Sequence, residues 1–230
     1  MEKKQNPQII VDKMIEYAGG ERYLNAKVEF DFRDIHYIGD RRGGEYSYER
    51  IITDSLNVTH DILNNKGFVR QINKEPVLLI DSMAAKYARS VNSVLYFTLL
   101  PYGLNDPAVV KEYIGERIVK NKGYHLIKIM FEKEQGGEDF QDVFLYWVDK
   151  ETFSMDYFAY SYLTDGGGKR FREKTGEEVV EGIRFATYNN YKTKDGTMVK
   201  LDEFDRLLER GDLQLLSVIE NKNIKVQVHE

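Results

Sequence analysis

The alternation of polar and apolar residues that marks a β-strand is clearest in Val28-Glu-Phe-Asp-Phe-Arg-Asp-Ile-His-Tyr-Ile38. Val28, Phe30 and Phe32 alternate with polar residues, which predicts a strand with one buried face. Short segments of the same kind follow along most of the chain, and tight turns such as Asn64-Asn-Lys-Gly67 separate them. Strands that are joined by tight turns pair antiparallel, so the sequence predicts a mainly antiparallel β fold.

Two segments have helical spacing instead. Apolar residues recur every three or four positions over about residues 6–19, before a Gly-Gly pair, and again over about residues 82–99, before Pro101. The predicted strands cover about residues 27–80 and 109–192, with Val77–Ile80 as one of them, and a C-terminal hairpin covers about 213–228. Residues 202–210 fit either a short helix or part of a strand.

The chain of 230 residues contains no linker rich in Ser, Gly or Pro, which predicts a single domain over residues 1–230. A long antiparallel sheet has to bury one face, and the helices are the available cover. We therefore expect an α+β fold: an unclosed, strongly curved β-barrel of about 10–12 strands wrapped around two or three helices. Such a wrap leaves an apolar cavity between sheet and helices, where small ligands commonly bind.

Composition excludes several classes of function. The chain has no cysteine, which excludes disulfides, thiolate nucleophiles, iron–sulfur clusters and cysteine zinc sites. The net charge of −5 disfavours non-specific nucleic-acid binding. The chain contains no run of 18 apolar residues, so the sequence predicts no transmembrane helix. The start of the chain as written lacks the apolar core of a signal peptide. The four histidines have no metal-binding spacing, so we predict neither a metal nor a cofactor.

Aromatic residues supply the most specific indication of a site, because they make up 13% of the chain and tyrosine predominates among them. Tyrosine combines apolar area with a polar tip, and it suits either core packing or the wall of a ligand cavity. The candidate cavity residues are Tyr46, Tyr48, Tyr96, Phe97, Tyr102, Tyr157, Tyr160 and Tyr162. Beside the glycine-rich turn at 166–168, Lys169, Arg170 and Arg172 are candidates to bind an anion or a lipid headgroup. The alternative for these cations is a solvated turn.

Three segments resemble the strands of bacterial lipoprotein carriers of the Lol type. They are Gly123-Tyr-His-Leu-Ile-Lys-Ile-Met-Phe131, Val143-Phe-Leu-Tyr-Trp-Val-Asp-Lys-Glu-Thr152, which contains a tryptophan-x-aspartate-x-x-threonine hairpin, and Gly182-Ile-Arg-Phe185. Four further segments, at 30–34, 92–97, 100–106 and 166–172, are similar to an uncharacterised group of envelope proteins related to those carriers. The resemblance implies the lipoprotein-carrier fold, a cavity for acyl chains, and a location in the cell envelope or periplasm.

Three kinds of function are compatible with these observations. The first is non-enzymatic binding or transport of a lipid or a lipid-modified protein. The second is a structural or interaction module of an envelope assembly, with another envelope protein as partner and an exposed apolar patch. The third is a cavity-based hydrolase or isomerase, with Asp31, Glu49 or Asp81 as carboxylates and His60 as base. No nucleophilic motif supports this third function, so we predict no catalytic residue.

Overall fold

The computed structural model describes residues 5–133, 140–194 and 199–229. The three α-helices are α1 (Pro7–Ala18), α2 (Asp81–Thr98) and α3 (Phe204–Glu209). The strands are β1 (Ala26–Phe32), β2 (Ile35–Arg42), β3 (Glu45–Thr53), β4 (Val58–Asn64), β5 (Gly67–Ile72), β6 (Glu75–Pro76), β7 (Val109–Val119), β8 (Lys122–Phe131), β9 (Val143–Asp149), β10 (Met155–Tyr162), β11 (Gly168–Val180), β12 (Ile183–Thr193), β13 (Leu213–Ile219) and β14 (Lys222–Val228). Short 3-10 helices lie at Gly20–Asn25, Thr164–Gly166 and Leu201–Glu203.

The strands form two antiparallel sheets of seven strands each. Sheet A has the order β14-β1-β2-β3-β4-β5-β6, and sheet B has the order β13-β12-β11-β10-β9-β8-β7. Neither sheet closes on itself among the described residues, so the prediction of an unclosed, mainly antiparallel fold with a few helices is confirmed.

The described residues form fourteen strands, more than the predicted 10–12. One reason lies in the stretch 28–38, which is two strands joined by a turn at Arg33 and Asp34. Both turn residues adopt left-handed φ angles, 51° and 61°. Two consecutive positive φ angles are typical of a tight hairpin turn, which usually carries Asn or Gly. Because neither residue is present here, the sequence pattern concealed the turn.

The C-terminal hairpin is a second correction. Both strands form within the predicted range, but β13 pairs with β12 in sheet B, whereas β14 pairs with β1 in sheet A. Asn223 lies at an irregularity in β14 and donates a hydrogen bond to Asp31 Oδ2 at 2.7 Å. Two adjacent segments of β-type sequence do not reveal that they have different partners.

The predicted strand Val77–Ile80 is a third correction. The structure has a two-residue strand, β6, that ends at Pro76, and residues 77–80 form an irregular link to α2. Val77 N donates to Arg70 O at 2.9 Å, and this bond is the last of the ladder at this end. The run of four apolar residues indicated a strand, but residues 77–80 are not part of one.

The chain folds as two compact units that are interleaved in sequence. Unit 1 contains residues 1–18, 103–177 and 186–219, with α1, α3 and most of sheet B. Unit 2 contains residues 19–102, 178–185 and 220–230, with α2 and sheet A. The prediction of one domain over the whole chain stays a prediction.

In unit 1, one face of sheet B packs around Trp147, which is fully buried. Trp147 Nε1 donates to Asp205 of α3 at 3.2 Å, and Phe204 of α3 stacks on Phe171 at 5.7 Å. The other members of this buried cluster are Val119, Tyr124, Leu126, Leu145, Tyr157, Ala159 and Leu213. Residues 202–210, for which the sequence left helix and strand open, are therefore the helical cover of this core.

In unit 2, α2 lies against β3, β4 and β5 of sheet A. Leu95 of α2 is buried and comes so close to Gly39 of β2 that a β-carbon there would lie 2.8 Å from Leu95 Cδ1. Glycine is required at this point because the helix and sheet approach too closely for a side chain.

Candidate functional site

A face of sheet B in unit 1 carries a row of aromatic rings and two arginines. In the strand register Tyr160 lies opposite both Phe144 and Arg170, and Phe158 lies opposite both Tyr146 and Arg172. Cross-strand partners share a face. We call this surface the aromatic–arginine face: Phe144, Tyr146, Phe158, Tyr160, Tyr162, Arg170 and Arg172.

The rings of this face stack on one another. Phe144 and Tyr160 lie 5.4 Å apart with planes 16° from parallel, and Tyr160 is 6.0 Å from Tyr162. Arg172 lies 5.3 Å from the centre of the Phe158 ring, and it donates to Tyr160 Oη at 3.2 Å. A guanidinium on an aromatic ring is an attractive cation–π contact.

Exposure rises along the aromatic–arginine face. Tyr146 and Phe158 are fully buried, whereas Tyr160 and Tyr162 are half-buried, and Leu163 beyond them is exposed. Arg170 is also half-buried and lies 5.4 Å from the Tyr162 ring. At this end, the aromatic–arginine face is therefore partly accessible to solvent, and it exposes apolar ring area next to the Arg170 guanidinium.

Tyr157, a predicted cavity residue, lies on the opposite face of β10. It packs between Tyr124, 5.5 Å away, and Phe171, 5.9 Å away, in the core around Trp147. Neighbouring residues of a strand point to opposite faces. The structure thus brings Tyr160 and Tyr162 together and separates Tyr157 from them.

The three predicted anion-binding cations already have partners in unit 1. Lys169 Nζ donates to the Val199 carbonyl, Arg170 donates to the Lys169 carbonyl at 2.8 Å, and Arg172 is bonded to Tyr160. Gly168 lies beneath the Tyr162 hydroxyl, where a β-carbon would be 2.8 Å from Oη. The glycine-rich turn therefore provides room for Tyr162.

The other predicted aromatic residues lie in unit 2. Arg41 is 4.3 Å from the Tyr102 ring and 6.0 Å from that of Tyr46, and it donates to Tyr48 Oη. Burial raises the pKa of Tyr48, and the Arg41 guanidinium partly offsets this effect. These residues form a second aromatic–arginine cluster. Tyr96 and Phe97 of α2 form an edge-on pair at 5.4 Å.

Tyr46 also borders a pocket of about 310 Å³ in unit 2. The remaining lining residues are polar: Asp40, Arg42, Glu45, Ser47, Asn64, Asn65, Lys66 and His229. Such a lining offers several hydrogen-bonding groups beside the Tyr46 ring.

The carboxylates and histidines considered for catalysis lie on sheet A or at the start of α2. Glu49 Oε2 and His60 Nε2 are 2.7 Å apart, and Asp31 pairs with His36 at 2.7 Å. Asp81 begins α2. Among residues 5–133, 140–194 and 199–229, no group of three or more His, Asp or Glu side chains is placed to hold a metal ion.

Sequence reasoning missed a buried charge cluster under α2. Asp61 is fully buried, and its carboxylate accepts from Arg50 at 2.6 Å and from Arg70 at 2.6 Å. Arg50 also donates to Ser90 of α2 at 2.7 Å. Arg70 lies 3.5 Å from the centre of the Tyr87 ring. Arg50 lies on the apolar face of its strand. A charged residue at such a position was the feature of the sequence that could have indicated a buried ion pair.

The tryptophan-x-aspartate-x-x-threonine hairpin has a structural role. Asp149 Oδ1 accepts from Glu151 N at 2.8 Å, Thr152 N at 2.6 Å and Thr152 Oγ1 at 2.9 Å, while Oδ2 pairs with Lys122. Burial of Asp149 disfavours its charged form and by itself would raise its pKa. The hydrogen bonds from Lys122, Thr152 and Glu151 outweigh this effect and lower the pKa of Asp149 to about 2. The motif therefore stabilises the turn between β9 and β10.

Comparison with solved structures identifies the fold. The chain is similar to a LolA superfamily protein from Nitrosomonas europaea, with a TM-score of 0.53 and 12% identity over 98% of this chain and 96% of that one. A DUF1329 family protein from Desulfovibrio piger matches 98% of this chain and 95% of its own at 10% identity, with a TM-score of 0.45. A putative outer membrane lipoprotein-sorting protein domain from Vibrio parahaemolyticus matches 88% of this chain and 99% of its own at 7% identity, with a TM-score of 0.43.

The first likeness shows a LolA-type fold, which confirms the fold that the sequence resemblance implied. No curated protein matches the chain. No helix among the described residues is both long and apolar enough to cross a membrane. Residues 3–221 match the model of a family of unknown function, and the chain therefore belongs to that family, DUF6503.

Proposed function

We propose that this protein is a non-enzymatic binder or transporter of a lipid or a lipid-modified protein, held in an apolar cavity between sheet and helices. The observation that carries the proposal is the half-exposed end of the aromatic–arginine face. There Tyr160 and Tyr162 offer apolar area next to the Arg170 guanidinium. An acylated ligand needs both features, because its chains seek apolar surface and its anionic headgroup seeks hydrogen-bond donors.

The energetics of this end suit acyl chains. Each buried methylene contributes about 0.8 kcal/mol, so a few carbons laid on the rings yield useful affinity. Arg172, which is buried and bonded to Tyr160, holds that ring in position. Arg170 then meets the headgroup, whereas Lys169 lies opposite Ser161 and so on the other face of the sheet. Tyr46, Tyr48, Tyr96, Phe97 and Tyr102 are the proposed lining residues in unit 2.

The LolA-type fold supports the proposal at the level of fold alone. With it we propose a location in the cell envelope or periplasm. The partners in this proposal are a lipid or an acylated protein, with another envelope protein as a further possibility for delivery.

The test is native mass spectrometry of the purified protein, followed by the same sample after denaturation. We expect a mass excess that disappears on denaturation and extracts as a lipid. Tyr160→Asp should abolish uptake of a fluorescent fatty acid, because it places a charge where the acyl chain lies. Ser161→Asp is the matched control, because it adds the same charge to the opposite face of β10 and should leave uptake unchanged. Equal uptake by Tyr160→Asp and the wild-type protein would refute the proposal.

One observation favours the second candidate function, an interaction module. Strand β13 is the edge of sheet B, and its Leu215, Leu216 and Val218 are exposed, on both faces of the strand. None of its seven residues is charged. Natural edge strands usually carry lysine, proline or a bulge that prevents pairing with another chain; β13 has neither lysine nor proline, but its register with β12 shifts at Leu216. Under this function, Leu216→Lys would abolish capture of an envelope partner while lipid content stays at zero.

A further inference from the structure

The pocket of about 310 Å³ in unit 2 lies at the ends of two neighbouring hairpins, β2–β3 and β4–β5. In the strand register, Asp40 lies opposite Ser47, and Ser47 lies opposite Asn64. Arg42 lies opposite Glu45 in the first hairpin, two residues along from Asp40. These five residues therefore share one face of sheet A. We call this site the polar pocket, and the charged residues and the histidine of its lining are Asp40, Arg42, Glu45, Lys66 and His229.

The polar pocket and α2 lie on opposite faces of sheet A. Gly39 precedes Asp40 in β2, and a β-carbon at Gly39 would lie 2.8 Å from Leu95 Cδ1 of α2. Because successive residues of a strand face opposite sides, the Asp40 side chain projects away from α2. A substitution on α2 can therefore serve as a control for one in the pocket.

Hydrogen bonds hold the walls of the polar pocket in place. Tyr46 N donates to Asn65 Oδ1 at 2.8 Å, which ties β3 to the turn between β4 and β5. His229, which follows β14, donates from its backbone N to Asn25 O at 2.8 Å. Gly43 N, in the turn between β2 and β3, donates to Asn25 Oδ1 at 3.1 Å. The walls are therefore ordered before a ligand arrives, which lowers the entropic cost of binding.

The charged side chains of the polar pocket form a paired and an unpaired set. His229 Nε2 lies 2.7 Å from Asp40 Oδ1, and the His229 side chain is only 12% exposed. Arg42, Glu45 and Lys66 are exposed, and within the described residues their side chains make no hydrogen bond, ion pair or ring contact. Two cations and one carboxylate are therefore available to a ligand.

The charges of the lining nearly balance, and this balance limits the class of ligand. Arg42 and Lys66 supply two positive charges, and Asp40 and Glu45 supply two negative ones. A simple anion is repelled by the carboxylates as it approaches the cations, and a simple cation meets the reverse. A molecule that carries both signs is attracted by both sets. The volume equals that of about ten water molecules, which suits a molecule of about ten non-hydrogen atoms.

We propose that the polar pocket binds a small zwitterion of the phosphoethanolamine type, in which a phosphate and an ammonium group are two carbons apart. Arg42 and Lys66 come from different hairpins, so they reach the anionic group from different directions. The tetrahedral oxygens of a phosphate suit this arrangement better than a planar carboxylate, which a single guanidinium fork satisfies. Glu45 and the Asp40 oxygen that His229 leaves accept hydrogen bonds from the ammonium.

Isothermal titration calorimetry on the full chain compares phosphoethanolamine with its two halves, inorganic phosphate and ethanolamine. We expect phosphoethanolamine to bind at least about tenfold more tightly than either half, because only the intact molecule uses the cations and the carboxylates together. Equal affinity for inorganic phosphate would overturn the inference. So would the absence of any binding of phosphoethanolamine.

Two variants test which side chains bind each end of the ligand. Arg42→Gln and Glu45→Gln change exposed, unpaired side chains, so both proteins should fold. Each should bind phosphoethanolamine at least about tenfold more weakly, because a charge-assisted hydrogen bond is lost. Glu45→Gln should leave the affinity for inorganic phosphate unchanged or raise it, since it removes a repelling charge.

Lys86→Gln is the matched control for these variants, because it removes an exposed cation from α2 on the opposite face of sheet A. It should leave the binding of phosphoethanolamine unchanged. An equal loss in Lys86→Gln and Arg42→Gln would show an effect of overall charge and would overturn the site.

Phosphoethanolamine occurs both as a free molecule and as the headgroup of a phospholipid. If the source is the lipid, dihexanoyl phosphatidylethanolamine displaces phosphoethanolamine from the wild-type protein, and Arg42→Gln weakens the binding of both. If the source is the free molecule, the lipid does not displace it.

The inference goes beyond the proposed function and does not depend on it, because the aromatic–arginine face belongs to unit 1. A protein that binds phosphoethanolamine but carries no lipid contradicts only the proposed function. A protein that carries lipid but does not bind phosphoethanolamine contradicts only the polar pocket.

Discussion

Sheets A and B differ in where they place charge. Sheet B buries aromatic and aliphatic residues on both faces, with Trp147 on one and Phe158 on the other. Sheet A buries the Asp61–Arg50–Arg70 cluster on the face below α2. On its other face, His36, His60 and His229 each lie 2.7 Å from a carboxylate.

The difference separates two sources of stability. An apolar face stabilises the fold in proportion to the apolar area that it removes from water. A substitution that removes part of this area lowers the free energy of unfolding by a proportionate amount. A buried ion cluster has to remain complete, because a charge without its partner stays desolvated. We therefore expect single charge removals to affect sheet A more than sheet B.

The largest effect is expected for Asp61→Asn. The change leaves two buried guanidiniums without their shared carboxylate, and it should lower the free energy of unfolding by about 3–5 kcal/mol. Urea denaturation measures this loss. Glu45→Gln removes an exposed carboxylate from the same sheet and should stay within about 0.5 kcal/mol. A loss for Asp61→Asn as small as that of the control would remove the contrast between the sheets.

A smaller effect is expected for Asp149→Asn in sheet B. The lowering of the Asp149 pKa from 3.8 to about 2 corresponds to about 2 kcal/mol of stability at neutral pH. Because the folded pKa is the lower one, this contribution is complete above about pH 4 and is lost as the pH falls toward 2. Denaturation across this range should show a shallower acid loss in Asp149→Asn.

Glu151→Gln, an exposed change in the same turn, should keep the acid dependence of the wild-type protein. An acid profile of Asp149→Asn that matches the wild type would show that another carboxyl group controls it.

The smallest effects compare two glycines. Gly39→Ala in sheet A places a β-carbon against the buried Leu95 and should cost about 1–2 kcal/mol, because Leu95 has no room to move. Gly168→Ala in sheet B meets the tip of the half-buried Tyr162 ring and the end of the half-buried Arg170 side chain, and both can turn away. We expect a change within about 0.5 kcal/mol there, with the ring displaced in NMR spectra. Equal losses at both glycines would contradict this account of the two contacts.

Regular periodicity made the elements predictable. The alternation around Val28 and the helical spacing around Leu95 indicated β1 and α2, since each pattern arises from residues close in sequence. The same alternation puts Tyr160 and Tyr162 on one face of β10 and Tyr157 on the other. The prediction that all three line a cavity did not use this alternation.

The role of the predicted site residues was less accessible. Arg172 is buried against Phe158 because of the register in which β10 pairs with β11. Asp61 forms ion pairs with Arg50 and Arg70 because three strands lie side by side under α2. Neither arrangement leaves a local signature, because the residues in each are separated by several to many positions.

Local patterning in the sequence was sufficient for the class of fold and the two long helices, because each depends on neighbours along the chain. The assignment of β13 to sheet B and β14 to sheet A depended on the folded chain. So did the exposure of Leu78 and Ile80, which belong to a segment that the sequence predicted as a strand. The physical reason is common to both. A hydrophobic side chain favours an apolar environment, but contacts between residues far apart in sequence determine whether the folded protein provides that environment at its position.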